Sequence, residues 1–260
     1  RGRNGGMTGM SGFIEKRMLR RSIRKWTALA DRVPGMSAEE LVDLTATARA
    51  LRVRLDKLTN AAEAALIPDP QSGILRPDQC DWAWRPAPWC EPCGTVGTVA
   101  ADSPHKLSDN VTLFHDCAQS EICLRQIRNA RPEDAAGYAT QVDVYRFDGS
   151  FLSLVLTLPD PAIRQLTRNH FITLRCDMAR ENPIEVYARL NVQHGPNTEQ
   201  IVRQVEFVET RGLAEFDLAY SNINEKRVEK IWIDLIFDNP GMNQVLLRDL
   251  TLTRAPRADI

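Results

Sequence analysis

At 260 residues, 43% hydrophobic and 26% charged, the chain has the composition of a globular protein with one sizeable core and a smaller appendage. No run approaches the roughly 18 apolar residues a membrane-spanning helix needs, and the basic N-terminus lacks the apolar stretch of a secretory signal. The formal net charge of −1 hides an asymmetry: residues 1–32 carry nine Lys/Arg against Glu15 and Asp31, so that segment is +7 and the remainder −8.

The default expectation is a cytoplasmic protein with reduced thiols, since six cysteines are too few for a disulfide scaffold. Met7 or Met10 is the first candidate initiator.

Leu19, Ile23, Trp26 and Ala30 form a helical stripe within residues 13–30, with Lys and Arg mostly off it. The basic residues of 1–32 suit an anionic membrane surface or nucleic acid, and equally a solvated helix face. Val33-Pro34-Gly35-Met36 breaks the pattern. Ser37 with Glu40 is a capping box that opens a second helix.

In that helix Leu41, Leu44, Ala48, Leu51, Leu55, Leu58, Ala62 and Ala65 alternate steps of three and four. This 3.5-residue period fits either a hairpin packed on the first helix or a homo-oligomeric coiled coil through residues 37–66. Ile67-Pro68-Asp69-Pro70 stops it.

A connector rich in Pro, Trp and Cys follows. Cys90 and Cys93 form a C-x-x-C that could supply two thiolates to zinc, but no second pair completes a recognised spacing. Unlinked thiols or a disulfide explain the same residues. Trp82, Trp84 and Trp89 can present rings for stacking on sugars or bases, or fill a core.

Beyond the connector the period becomes two. Strands are expected at 94–100, 111–115, 121–127, 140–147, 151–158, 172–178, 184–192, 201–208, 214–219, 230–237 and 245–254. Asp148-Gly149 reads as a hairpin turn. Leu152, Leu154, Leu156 and Leu158 form one core row, and Ile184, Val186, Ala188, Leu190 and Val192 another. Many strands without intervening helices favour an antiparallel β-sandwich. Opposite the core rows lie Arg175, Asp177, Tyr187, Arg189, Asn191, Trp232 and Asp234, an aromatic and polar set suited to glycan hydroxyls or, equally, to a solvated sheet face.

Catalytic signatures are thin. The four histidines are scattered, no nucleophile elbow or phosphate loop occurs, and nothing in the sequence pairs two carboxylates for glycoside hydrolysis. His115-Asp116-Cys117 cannot form a triad in sequence, because neighbours on a strand point to opposite faces.

Trp82-Ala83-Trp84-Arg85-Pro86, Leu113-Phe114-His115-Asp116-Cys117 and residues 147–154 resemble an uncharacterised family of alphaproteobacterial, chiefly rhodobacterial, proteins, for which no activity carries over. Residues 171–254, particularly the closing run 231–253, are similar in layout to jelly-roll carbohydrate-binding domains, which implies the fold and no catalytic residue.

The sequence therefore reads as a helical arm (11–67), a connector (68–94) and a jelly-roll-like β-sandwich (95–256). The expected function is non-catalytic binding, of a glycan or a protein partner. A structural assembly protein of a phage-like particle or envelope complex is the second reading, and a polysaccharide hydrolase the third. No cofactor beyond the zinc considered at Cys90 and Cys93 is expected.

Overall fold

The computed structural model describes residues 8–66, 71–94 and 97–257. The stop expected at Ile67–Pro70 lies outside the described residues, as do residues 1–7 of the basic segment and 95–96 of the strand expected at 94–100. The chain forms two compact units, divided between Thr59 and Asn60.

The first unit is helical: α1 (Thr8–Arg32), a 3-10 turn over Val33–Gly35, and α2 (Ala38–Leu66), which runs past the unit boundary. The capping box forms as expected. The Glu40 N–H donates to Ser37 Oγ at 3.3 Å, and the Ser37 N–H donates back to Glu40 Oε2 at 2.9 Å. Those bonds from Ser37 hold the Glu40 carboxyl below its usual value.

The two helices do not zip together along their stripes. Trp26, Leu29 and Ala30 of α1 share a cleft with Leu41, Leu44 and Ala48 of α2 next to the elbow. Away from it the stripes are uncovered, with Leu55 50% and Leu58 65% exposed on α2. A hairpin sealed over its length is thus not what the chain forms. A 3-10 turn of three residues sets the elbow, and apolar periodicity alone does not dictate the angle.

The second unit is a two-sheet sandwich. In chain order its elements are β1 (Trp82–Trp84), α3 (Ala87–Cys90), β2 (Gly97–Thr98), β3 (His105–Lys106), β4 (Val111–His115), β5 (Ile122–Arg128), β6 (Tyr138–Val144) and β7 (Leu152–Thr157). Then come α4 (Asp160–Ile163), β8 (His170–Arg180), β9 (Val186–His194), β10 (Asn197–Gln204), β11 (Glu206–Val208), β12 (Arg211–Asp217), β13 (Val228–Phe237) and β14 (Asn243–Pro256). Sheet A has the order β11-β12-β8-β14-β6-β5-β2, with β1 also on β14; sheet B has the order β10-β9-β13-β7-β4-β3. The pairings are antiparallel.

The chain repeatedly switches sheets, as in a jelly-roll wind. At one end three crossings run side by side: β6 to β7, β8 to β9, and β13 to β14. Backbone bonds tie them, from Met242 N–H to the Tyr145 carbonyl at 2.8 Å and from Asp238 N–H to the Glu185 carbonyl at 3.0 Å. The Asn243 side chain makes both bonds to the Asn182 backbone, its Oδ1 accepting from the Asn182 N–H at 3.0 Å and its Nδ2 donating to the Asn182 carbonyl at 3.1 Å.

This arrangement corrects the hairpin expected at Asp148-Gly149. β6 and β7 lie in different sheets, so the loop turns a corner of the sandwich. Gly149 is needed there for closeness: a Cβ on it would stand 2.6 Å from Asp116 Oδ1 and 3.0 Å from Cys117 Sγ. A tight hairpin does join β9 to β10, where Gly195 supplies a positive φ of 61°.

Strand alternation sets the core. Leu152, Leu154, Leu156 and Leu158 are buried, as are Ile184, Val186, Ala188, Leu190 and Val192, and from sheet A they meet Ile172, Leu174, Cys176 and Met178. A one-residue slip in either sheet would turn such a row outward, which fixes the register.

The stretch expected as a connector is built into sheet A. β6 pairs with Asn243–Leu247 of β14, and β1 takes the same edge further along, at Leu252–Arg254. Side chains fill the gap between them: Trp89, fully buried, donates its indole N–H to the Leu247 carbonyl at 3.0 Å, and Asn129 donates to the Arg248 carbonyl at 2.9 Å. Sheet-edge acceptors that would otherwise be orphaned are thereby satisfied.

Candidate functional site

The outer face of sheet B carries a groove of about 780 Å³ across β4, β7, β13 and β9. Strand register sets the side chains of this face in rows. Thr112, Val155, Asp234 and Arg189 stand opposite one another in one row; Phe114, Ser153, Ile236 and Tyr187 form the next; Thr157, Trp232 and Asn191 form a third. Because side chains two apart share a face, each strand contributes alternate residues. Lys230 and Phe151 complete the lining.

The polar centre is Asp234, which is buried. Its Oδ2 accepts from Arg189 Nε at 2.8 Å and from Asn191 Nδ2 at 3.1 Å, and Arg189 Nη2 is ion-paired with it at 2.7 Å. Asn191, itself buried, accepts from Gln200 of β10 at 3.0 Å. The carboxylate is therefore fixed in position and its charge matched. Beside it Trp232 is half-buried, with Lys230 Nζ 5.3 Å from its ring centroid. The result is a flat aromatic surface next to immobilised donors and acceptors. Asp234 is the one carboxylate among the described residues lining the groove.

Of the residues singled out from the sequence, Arg189, Trp232 and Asp234 line this groove, and Asn191 supports it from beneath. Tyr187 is on the same face beyond the groove, its hydroxyl donating to Glu185 Oε2 at 2.5 Å, which raises the phenol's pKa. Arg175 and Asp177 do not join them. They belong to β8 in sheet A, whose outer face points the opposite way, and Asp177 pairs with Arg131 at 3.1 Å. Thr112, Phe114, Phe151, Ser153 and Val155 were missed by sequence reasoning. The alternation that picked out Trp232 also marks Thr112 and Phe114, since Val111, Leu113 and His115 between them are buried.

Cys90 and Cys93 sit on and after α3, beside a separate polar cleft of about 640 Å³ that also takes in His105, Arg125 and Gln126. Burial pushes both thiols up to about 11, away from the thiolate form a metal would bind. Among the described residues no group of three or more Cys, His, Asp or Glu is placed to hold a metal ion. Trp82 and Trp84 are half-buried, with ring centroids 6.3 Å apart.

His115 is a structural residue. Its Nδ1 accepts from the Cys117 N–H at 3.2 Å, which leaves Nε2 to donate to the Ala101 carbonyl at 2.9 Å. Asp116, on the neighbouring loop, accepts from Ser150 and Phe151 instead. Among the described residues, no helix is long and apolar enough to cross a membrane.

Residues 7–260 match a family described as "Family of unknown function (DUF6478)". No curated protein matches the chain. Among solved structures, the enzymatically active domain of bacteriophage CBA120 tailspike protein 4 is 9% identical at a TM-score of 0.37. That match covers 55% of this chain and 19% of the tailspike chain, so this chain spans about a fifth of that relative. The family 11 carbohydrate-binding module from Clostridium thermocellum, solved with a β-1,3-1,4-mixed-linked tetrasaccharide, is 12% identical at a TM-score of 0.38, covering 64% of this chain and all of the module. TmCBM61, solved with β-1,4-galactotriose, is 14% identical at a TM-score of 0.34, covering 55% and 88%. Likenesses this distant carry no argument about the groove.

Proposed function

The chain belongs to DUF6478, a family of unknown function, and from the groove itself we propose that it is a non-catalytic binding protein that takes a glycan on the outer face of sheet B. One observation carries this reading: the half-buried Trp232 stands two residues along β13 from Asp234, on the same face, and Arg189 and Asn191 hold Asp234 fixed. Sugar rings offer apolar C–H faces for stacking and hydroxyls that read rigid donors and acceptors, and this pairing of surfaces fits both. Preorganisation favours binding, because little side-chain freedom remains to be lost.

Binding fits the groove better than hydrolysis. Glycoside hydrolysis uses two carboxyl groups about 5 to 10 Å apart. Here one carboxylate lines the groove among the described residues, and an arginine engages it.

A glycan array probed with the full chain and with Trp232→Ala tests the proposal. The wild type is expected to bind a defined set of oligosaccharides, and Trp232→Ala to weaken that binding about tenfold or more. A wild type that binds nothing, or a Trp232→Ala variant that binds as the wild type does, overturns it.

The assembly reading has its own support in the α2 seam, where Leu55 and Leu58 are exposed at coiled-coil spacing. Self-association through residues 37–66 would present several grooves at once and raise weak affinities by avidity. Sedimentation of the full chain against Leu55→Glu/Leu58→Glu checks it, and an unchanged oligomeric state would rule it out.

A further inference from the structure

Nothing in the groove makes use of α1. From Lys16 to Ala30 this helix carries six basic residues (Lys16, Arg17, Arg20, Arg21, Arg24 and Lys25) and no acidic one. Its helical positions sort these groups by face. At 100° per residue, Leu19, Ile23, Trp26 and Ala30 fall within a narrow stripe, with Met18 and Leu29 on one flank. Arg17, Arg21, Arg24 and Lys25 take the opposite side, and Lys16 and Arg20 edge the stripe.

The stripe is uncovered where a folded protein would ordinarily bury it. Met18 is 67%, Leu19 64% and Ile23 65% exposed. The basic side chains of residues 16–25 are exposed as well. Within this unit the elbow cleft engages Trp26, Leu29 and Ala30, and leaves the turns carrying Met18, Leu19 and Ile23 open.

We propose that α1 lies flat on an anionic lipid surface, its Leu19–Ile23 stripe sunk into the headgroup boundary and its basic face paired with acidic lipids. An interfacial helix has this composition: a short apolar face, a Lys/Arg-rich polar face, and too little total hydrophobicity to span the bilayer. Charge decides between this occupant and a second copy of the chain. Two α1 stripes packed together would bring Lys16 and Arg20 against their own counterparts with no acidic residue between Lys16 and Ala30 to offset them. The α2 seam differs, since Glu39, Glu40, Asp43 and Asp56 alternate with Arg49, Arg52 and Lys57. Duplex nucleic acid would use the arginines but gives an exposed Leu-Ile stripe nothing to bury against.

The test is flotation of the full chain with phosphatidylcholine vesicles, alone and containing roughly one third phosphatidylglycerol. The wild type should float with the anionic vesicles and stay behind with the neutral ones. Leu19→Glu/Ile23→Glu and Arg20→Glu/Arg24→Glu should each reduce flotation about tenfold or more. The altered side chains are exposed, so the melting of each variant should match the wild type, which separates lost binding from lost folding. Wild-type flotation that is absent, or equal with neutral vesicles, overturns the proposal. So does an apolar variant that floats like the wild type. An oligomer dispersed by Leu19→Glu/Ile23→Glu without vesicle binding would assign the stripe to a second copy, and duplex DNA retardation without vesicle binding would assign the basic face to nucleic acid.

Discussion

Arg85 and Asp249, 164 positions apart in sequence, meet through two parallel N–H···O bonds of 2.8 and 2.9 Å. Arg85 is buried, and its Nη1 also donates to the Ser72 carbonyl at 2.8 Å. A second clamp of the same form joins Arg254 to Asp81, with both bonds at 2.9 Å. Two arginine forks thus staple residues 71–93 to β14 on either side of the short strand β1. Arginine suits the role because its planar fork matches a carboxylate with both ends.

Removing one partner of such a pair leaves the other desolvated. Arg85→Ala is therefore expected to destabilise the sandwich by about 3 to 5 kcal/mol, read as a shift of the denaturant midpoint. Arg85→Met with Asp249→Leu should recover much of that loss, because no charge is then left unpaired. An Arg85→Ala midpoint within error of the wild type would show that the clamp adds nothing to the docking of this segment.

The hydrophobic rows call for a different magnitude. Leu156 is fully buried between the sheets, paired in register with Val111 and Ile233. Leu156→Ala is expected to cost about 2 to 5 kcal/mol by chemical denaturation. Trp232→Ala, on the half-exposed outer face, should cost less and affect ligand binding instead. A large stability loss at Trp232 would mark that ring as structural.

These two positions show what the sequence could and could not reveal. Leu152–Leu158 and Ile184–Val192 were legible because alternation is local: the period alone says which side chains face the core. Sheet membership is not local. Arg175 and Asp177 have the same outward phase as Trp232, yet β8 pairs with β12 and β14, so they emerge on the other side. The corner at Asp148-Gly149 escaped for the same reason, because a turn dipeptide between two strands does not say whether those strands pair. Arg85 gave no local sign of its partner, and only the folded register brings Asp249 to it.

The thiols offer a check on the Cys90/Cys93 cleft. Burial, followed by the nearby Glu91 charge, raises both groups to about 11. Both should stay protonated at neutral pH and react slowly with iodoacetamide, faster only as pH approaches about 11 in the folded protein. A group whose folded pKa lies above its unfolded value adds stability below that unfolded value, 9.0 here, and loses it as pH rises toward the folded one. Stability should therefore decline between pH 9.0 and about 11, and less so in Cys90→Ala. Rapid alkylation of either residue at pH 7 by peptide mapping would contradict the burial-driven shift.

The corner loop gives the opposite sign. Asp116 accepts from the Ser150 hydroxyl and N–H at 2.5 and 2.7 Å and from the Phe151 N–H at 3.2 Å. Led by the Ser150 hydroxyl bond, these contacts hold the carboxyl below its ordinary value of 3.8. A depressed folded pKa contributes stability above the unfolded value and loses it as pH falls through the folded one, so this contribution fades below pH 3.8. Asp116→Asn should flatten the acid limb of the stability curve, because its side chain does not titrate. Gly149→Ala acts on the same loop from the other side. With Asp116 Oδ1 only 2.6 Å from the added methyl, the carboxylate must move off Ser150, and the variant's denaturant midpoint should fall. In the double variant the two effects should be less than additive, since both act on the same Asp116–Ser150 contact. Fully additive losses in a double-mutant cycle would show that Gly149 and Asp116 act independently, and that the corner does not depend on their contact.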